Sequence, residues 1–303
     1  MYKLVYTSAF LLFVASGMFA ATPHQEQAEQ FDSSPAALRQ LVQRAVNNDL
    51  NSGKHFRNKE TYRLKKVTTR GTQVKQVVET KTISVSRLLE INGNHLTPEQ
   101  QQAEDDRLNR LANSPDDQRK KQKEEKQDDE NATKIFKALP DAFIYKYEGT
   151  IQGSSGALVH MTFTPDPHWN PPTRELQVLV GMQGTLDIDK QEERIAKIEA
   201  HLFRDVDFGW GILGRLYKGG SFTVEQSKID GQRWETTHMV LDITGKALLF
   251  KTLIYKESEF TYDFQPTPRE FSVAEGIQFL RSQTDKAQAN NQATPQACCD
   301  APK

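Results

Sequence analysis

Seven histidines, at positions 24, 55, 95, 160, 168, 201 and 238, and two adjacent cysteines, Cys298 and Cys299, are the residues from which metal or thiol chemistry would have to be built. No two histidines have the helical-pair spacing of a zinc site, and none stands at ligand spacing from a cysteine, so neither a metal nor a cofactor is expected. Cys298 and Cys299 would close a strained ring if they paired with each other. They serve an intermolecular disulfide or a soft-metal contact, or they lie idle in a polar tail. Asp187 and Asp189 flank Ile188 and share one strand face, as an acid/base pair would. No second contributor or cleft is visible, and a solvated strand end before Lys190-Gln191-Glu192 accounts for them. Gly153-Ser154-Ser155-Gly156 lacks the spacing of a nucleophile elbow, and no P-loop occurs. These readings predict a protein that is not an enzyme.

One motif matches a known chemistry letter for letter. Gly209-Trp210-Gly211-Ile212-Leu213-Gly214 has the dinucleotide fingerprint, with Asp230 some 20 residues later. Such a loop must open a helix whose first amides hold pyrophosphate, yet the sequence continues into Gly219-Gly220 and then alternates like a strand. Phe208, Trp210, Ile212, Leu213 and Leu216 instead combine apolar bulk with three bendable glycines. The segment is either a lid over an apolar cavity or a β-edge that plugs a barrel end.

The surrounding elements are mostly strands. Leu38, Leu41, Val42, Ala45, Val46 and Leu50 follow Ser33-Ser34-Pro35 at helical spacing and stop at Gly53, which predicts one amphipathic helix. From Asn58 to Ile91 the residues turn β-branched and alternating, with breaks at Arg70-Gly71 and Asn92-Gly93. Thr97-Pro98-Glu99-Gln100 has the layout of a capping box and opens a helical insertion over 98–138. Of the 36 residues from Pro98 to Thr133, 11 are acidic and 7 basic, which argues against a nucleic-acid grip; Leu108 and Leu111 hold the first turns down, but between Asn113 and Asn131 there is no aliphatic or aromatic side chain, so no stripe there can be buried. The insertion is a partner-binding arm or a solvated hairpin.

From Phe143 to Phe264 alternation dominates: Leu176, Val178 and Val180; Leu186 and Ile188; Phe222 and Val224; Phe260, Tyr262 and Phe264. Asp230-Gly231, between Ser221 to Ile229 and Arg233 to Ile243, marks a two-residue hairpin and Thr244-Gly245 a further turn. The predicted fold is mainly β within α+β: a single curved antiparallel sheet forming an unclosed half-barrel, covered by the N-terminal helix and carrying the charged helical insertion. The domain spans 33–275, and 282–303 reads as a disordered tail.

The chain has 303 residues with 39 Lys and Arg against 40 Asp and Glu, and no global charge draws it to nucleic acid or an anionic membrane. Its mean hydropathy of −0.67 excludes an integral helical membrane protein. Residues Leu4 to Ala15 form an apolar run after Lys3, followed by small residues to Ala21. This is a secretory signal peptide over 1–21 or a short uncleaved anchor; with the signal cleaved, no stable membrane span is expected. Two adjacent cysteines in a secreted chain suit a bacterial periplasm.

The segments Leu96 to Gln100, Pro140-Asp141-Ala142-Phe143, Phe163 to Pro172, Gly184 to Asp189, Phe208-Gly209 and Lys218 to Ser221 carry a resemblance. Over about Pro35 to Phe271 the chain resembles a group of secreted bacterial proteins and, through them, the periplasmic lipoprotein-localisation carriers. The charged insertion departs from their pattern. The resemblance implies an unclosed β-barrel whose hollow binds acyl chains, with outer-membrane lipoprotein sorting as the finer function. The expectation is therefore a non-enzymatic carrier or sensor of a lipid-like ligand. Leu176, Val178, Val180, Leu186, Ile188, Phe222 and Val224 are candidate lining residues, under a lid at 208–216. The alternative is an envelope interaction scaffold with a filled barrel, working through 98–138.

Overall fold

Leu38, Leu41, Val42, Ala45 and Val46 are all buried, and they form one stripe of helix α1, Pro35–Ser52. Ser34 starts the helix, its Oγ accepting from Ala37 N at 3.3 Å. The computed structural model describes residues 31–52, 59–208, 214–231, 233–247 and 251–292. The expected signal peptide at 1–21, Gly53, and Trp210, Ile212 and Leu213 of the expected lid lie outside these residues, as do Cys298 and Cys299.

The strands are β1 Glu60–Thr68, β2 Gly71–Glu79, β3 Ser84–Ile91, β4 Asn94–His95, β5 Phe143–Gln152, β6 Ala157–Pro165, β7 Met182–Asp189, β8 Ile195–Leu202, β9 Val206–Phe208, β10 Gly214–Leu216, β11 Ser221–Ile229, β12 Arg233–Ala247 and β13 Lys251–Pro266. Between β4 and β5 come α2, Pro98–Asn113, and α3, Pro115–Ala142; α4, Val273–Gln292, closes the described chain. All ladders are antiparallel and form one 13-stranded sheet of order β4-β3-β2-β1-β13-β12-β11-β8-β7-β6-β5, with β10 beside β12 and β9 beside β10. Its two edges, β4 and β5, are unpaired with each other, so the sheet is unclosed.

Registers divide one face of this sheet in two. Phe222 and Val224 of β11 face Ala200 and Ile198 of β8, which face Gly184 and Leu186 of β7. That row continues through Phe163 and Met161 of β6 to Tyr145 and Tyr147 of β5. The opposite face of the same strands shows Ile144, Lys146 and Glu199 to solvent, so α1, which packs on β5 and β8, covers the apolar row. Burying each such Leu or Val contributes roughly 1.5–3 kcal/mol. A second core forms where α2 and α4 pack on β3, from Val78, Ile83, Val85, Leu108, Leu111, Phe271, Ile277 and Leu280.

Gly184 is required by the spacing of β7 and β8. A Cβ there would stand 1.8 Å from the Glu199 carbonyl oxygen and 2.9 Å from Ala200 Cα, backbone atoms that cannot swing away. Gly184→Ala is expected to destabilise the fold by about 3 kcal/mol or more, read as a lowered urea midpoint; an unchanged midpoint would show that the strands separate freely there.

Four expectations are corrected. Leu176, Val178 and Val180 lie in a 3₁₀ helix, Glu175–Gly181, not a strand, because short apolar runs fit either period and this one packs against α3. Thr244-Gly245 does not turn the chain: β12 runs through it, and the glycine admits β10, whose Arg215 carbonyl would lie 2.4 Å from a Cβ. Ile229 pairs with Arg233, so the Asp230-Gly231 hairpin loop holds three residues and not two, with Asp230 at φ 54° and Gly231 at φ 69°. The fourth concerns α4, which runs to Gln292 and so makes part of the expected tail helical.

Candidate functional site

The other half of the same sheet face is charged. Leu64 of β1 faces Thr261 of β13, Lys66 faces Glu259, and Glu259 in turn faces Met239 of β12. Above these strands lies α3, and between helix and sheet is a cavity of about 1240 Å³. Its floor is Glu60, Tyr62 and Leu64 of β1, Arg233 to Thr236 and Met239 of β12, and Glu259, Thr261 and Phe264 of β13. Glu79 to Ser84, at the β2–β3 turn, make one end.

Local sequence explains each wall. Period-two alternation aims Glu60, Tyr62 and Leu64 the same way. On β13 the alternation breaks: Thr61 pairs with Gln265 but Arg63 with Tyr262, an extra residue that leaves Asp263 at φ 58°. This bulge separates Phe264 from Phe260 and Tyr262, with which it was expected to share a face. Phe260 and Tyr262 are among the exposed large hydrophobic residues, whereas Phe264 lies 5.5 Å from the Tyr62 ring inside the cavity.

The roof is the charged insertion. Thr97 caps α2 through a complete capping box, and Ser114 caps α3, its Oγ accepting from Asp117 N at 3.2 Å. Arg119, Gln122, Lys126 and Asp129 then recur at helical spacing along the wall of the cavity. The absence of any apolar stripe here has a specific cause: the inward stripe faces a polar space. Glu125 ties the helix down, accepting from Ser84 Oγ at 2.6 Å and from Ser84 N at 3.2 Å.

Inside, the charges are unequal. Arg233 Nη1 sits 2.8 Å from Glu60 Oε2 and its Nε 3.4 Å from Glu235 Oε1, with the guanidinium 5.9 Å from the Phe264 centroid. Tyr62 donates its hydroxyl to Glu79 Oε1 at 2.9 Å. Burial pushes the Glu60 carboxyl up to about 7, with the like charge of Glu235 adding to it and Arg233 opposing it. Burial raises Glu235 as well. Arg194, also in the wall, is taken up by Asp49 of α1, and burial lifts that carboxyl to about 6 despite the arginine.

Of the residues expected to line the hollow, Leu176, Leu186, Ile188 and Val224 are buried, and Val178, Val180 and Phe222 are partly so. None lies on the cavity wall; Val224 comes nearest, as the register partner of Met239. Phe208 and Leu216 sit on β9 and β10, and Leu216 pairs with Gly245, six residues along β12 from Met239, or roughly 20 Å at 3.3 Å per residue. Gly214 begins a strand and Asp230 a turn, so no helix follows the dinucleotide-like motif. Asp187 and Asp189 are buried where a solvated strand end was expected. His160 Nδ1 lies 2.5 Å from Asp187 Oδ1, and Asp189 Oδ1 accepts from Gln191 N and Glu192 N at 3.0 and 2.7 Å. Among the described residues no group of acidic, His or Cys side chains could hold a metal ion, and no helix is long and apolar enough to cross a membrane.

No family model matches the chain, and no curated protein matches it. Solved structures do. A protein described as an outer membrane lipoprotein-sorting protein domain, from Vibrio parahaemolyticus, is similar with TM-score 0.31 and 7% identity over 79% of this chain and 99% of that chain. A DUF1329 family protein from Desulfovibrio piger gives 0.28 and 10% over 79% and 95%. A LolA superfamily protein from Nitrosomonas europaea gives 0.29 and 8% over 78% and 96%. These are the kinds of protein the sequence resembles. At such scores none of the likenesses bears on what the cavity holds.

Proposed function

We propose that the protein is a periplasmic, non-enzymatic carrier or sensor that holds a lipid-like ligand between α3 and the sheet. The cavity supports this reading best: at about 1240 Å³ it exceeds the roughly 300–1,000 Å³ of most small-molecule pockets, and its walls are mixed. Tyr62, Leu64, Met239 and Phe264 offer apolar area, while Glu60, Arg233 and the α3 stripe offer charge. An amphiphile matches both. Each methylene it buries is worth about 0.8 kcal/mol, and Tyr62, Leu64, Met239 and Phe264 are the side chains against which its chain would lie. Outer-membrane lipoprotein sorting is the finer form of this proposal, the acyl chains of the lipoprotein being the ligand.

Mass spectrometry of the organic extract of the natively purified protein is expected to show one amphiphile, and a fluorescent fatty-acyl probe is expected to bind. Leu64→Arg and Met239→Arg should each weaken the probe at least tenfold by placing a charge on the apolar wall. Ligand-free protein that also ignores the probe would end the proposal.

A further inference from the structure

Along most of β3 the side away from β2 has no strand beside it among the described residues, since β4 pairs only with Glu90 and Ile91. Ser84, Ser86 and Leu88 turn backbone groups to that side, and each meets a side chain of the charged insertion. Glu125 of α3 accepts from Ser84 N at 3.2 Å, Arg107 of α2 donates to Ser86 O at 2.5 Å, and Glu104 of α2 accepts from Leu88 N at 2.8 Å. Contacts at every second residue, to N–H and C=O alike, are those a paired strand would make. Arg107 and Glu104 also hold each other, Nε to Oε2 at 2.8 Å, and Glu104 is 7% exposed, so these two caps are fixed as a unit. The far edge, β5, is protected differently. A bulge between Tyr147 and Gly149 breaks its line, and Lys146 reaches Glu148 there at 3.0 Å.

We infer that the insertion is a guard for β3, and that the edge beneath it is a self-association site whose occupant is β3 of a second copy. The occupant follows from the spacing. An antiparallel copy centred on Ser86 sets Ser84 opposite Leu88 and Ser86 opposite its own counterpart, so each outward N–H meets an outward carbonyl. Arg87 then falls opposite Val85, and no like charges face each other. The helices hold the place that copy would take and keep the edge shut. Only side chains with hydrogen-bonding ends can cap a backbone in this way, which gives the charge of 98–138 a role independent of what the cavity holds.

The test compares the native protein with Glu104→Ala/Arg107→Ala/Glu125→Ala by light scattering, with circular dichroism to check the fold. The variant is expected to show about twice the native mass, as a twofold pair of copies would. Adding Ser86→Pro, which removes an outward amide and no bond to β2, is expected to return it to the native mass. A folded triple variant of native mass would overturn the inference, and so would association that Ser86→Pro leaves intact. Should the triple variant not fold, hydrogen exchange of the native protein decides: the Ser84 and Leu88 amides are expected to exchange as slowly as amides between paired strands. Exchange at the rate of exposed amides would overturn the guard.

Discussion

Asp49→Ala is expected to cost about 3–5 kcal/mol of folding stability, because it strands the Arg194 guanidinium in a place built for an ion pair. The two side chains are 7% and 10% exposed, and Ile195 N donates to Asp49 Oδ2 at 3.3 Å, so the carboxylate also satisfies a strand amide. Arg194 lies 5.9 Å from the Trp234 centroid, and the Trp234 indole donates to Glu192 Oε2 at 2.8 Å. Removing Asp49 therefore loosens the seam between α1, β8 and β12 at one wall of the cavity. Replacing both partners, as Asp49→Leu with Arg194→Met, should recover most of the loss, since an apolar pair leaves no charge to desolvate. Urea denaturation of the three variants decides it. A single-variant loss under about 1 kcal/mol would mean that cavity water already solvates Arg194.

How much of this was legible in the sequence depends on distance along the chain. The α1 stripe, the Thr97 capping box, the Ser114-Pro115 restart and the Asn92-Gly93 turn, with φ 53° and 80°, are local patterns, and they stand as read. The open antiparallel sheet follows from alternation in the same way. The cavity does not, because Glu60, Glu79, Glu235 and Phe264 meet only through the β1–β2, β12–β13 and β1–β13 ladders. The last of these carries a bulge that no periodicity reveals. The one available signal was negative: a helix stretch without an apolar stripe needs polar surroundings on every side, and a cavity lined by charged side chains satisfies that as well as bulk solvent does. The apolar strands and the N-terminal helix over them were both legible; that this helix leaves none of Leu186, Ile188, Phe222 and Val224 on a cavity wall was not, because alternation does not measure how much of a face one helix covers.

Acid should stabilise this protein down to about pH 5. In the folded state Glu60 titrates at about 7 and Asp49 at about 6, against ordinary values of 4.5 and 3.8, so both hold their protons more tightly when folded than when unfolded. Between those limits the native state binds more protons, and stability falls as pH rises; the contribution is fully present below about pH 4 and is lost through pH 7. At 1.36 kcal/mol per unit, the Glu60 shift alone accounts for about 3 kcal/mol. Glu275 works in the opposite sense, held down to about 2 by Arg269 and Ser272, but its contribution is lost only as pH falls below its ordinary range. Urea midpoints at pH 5 should therefore exceed those at pH 8, and Glu60→Gln should flatten the upper part of that profile. A midpoint that climbs steadily from pH 5 to 8 would contradict the assignment.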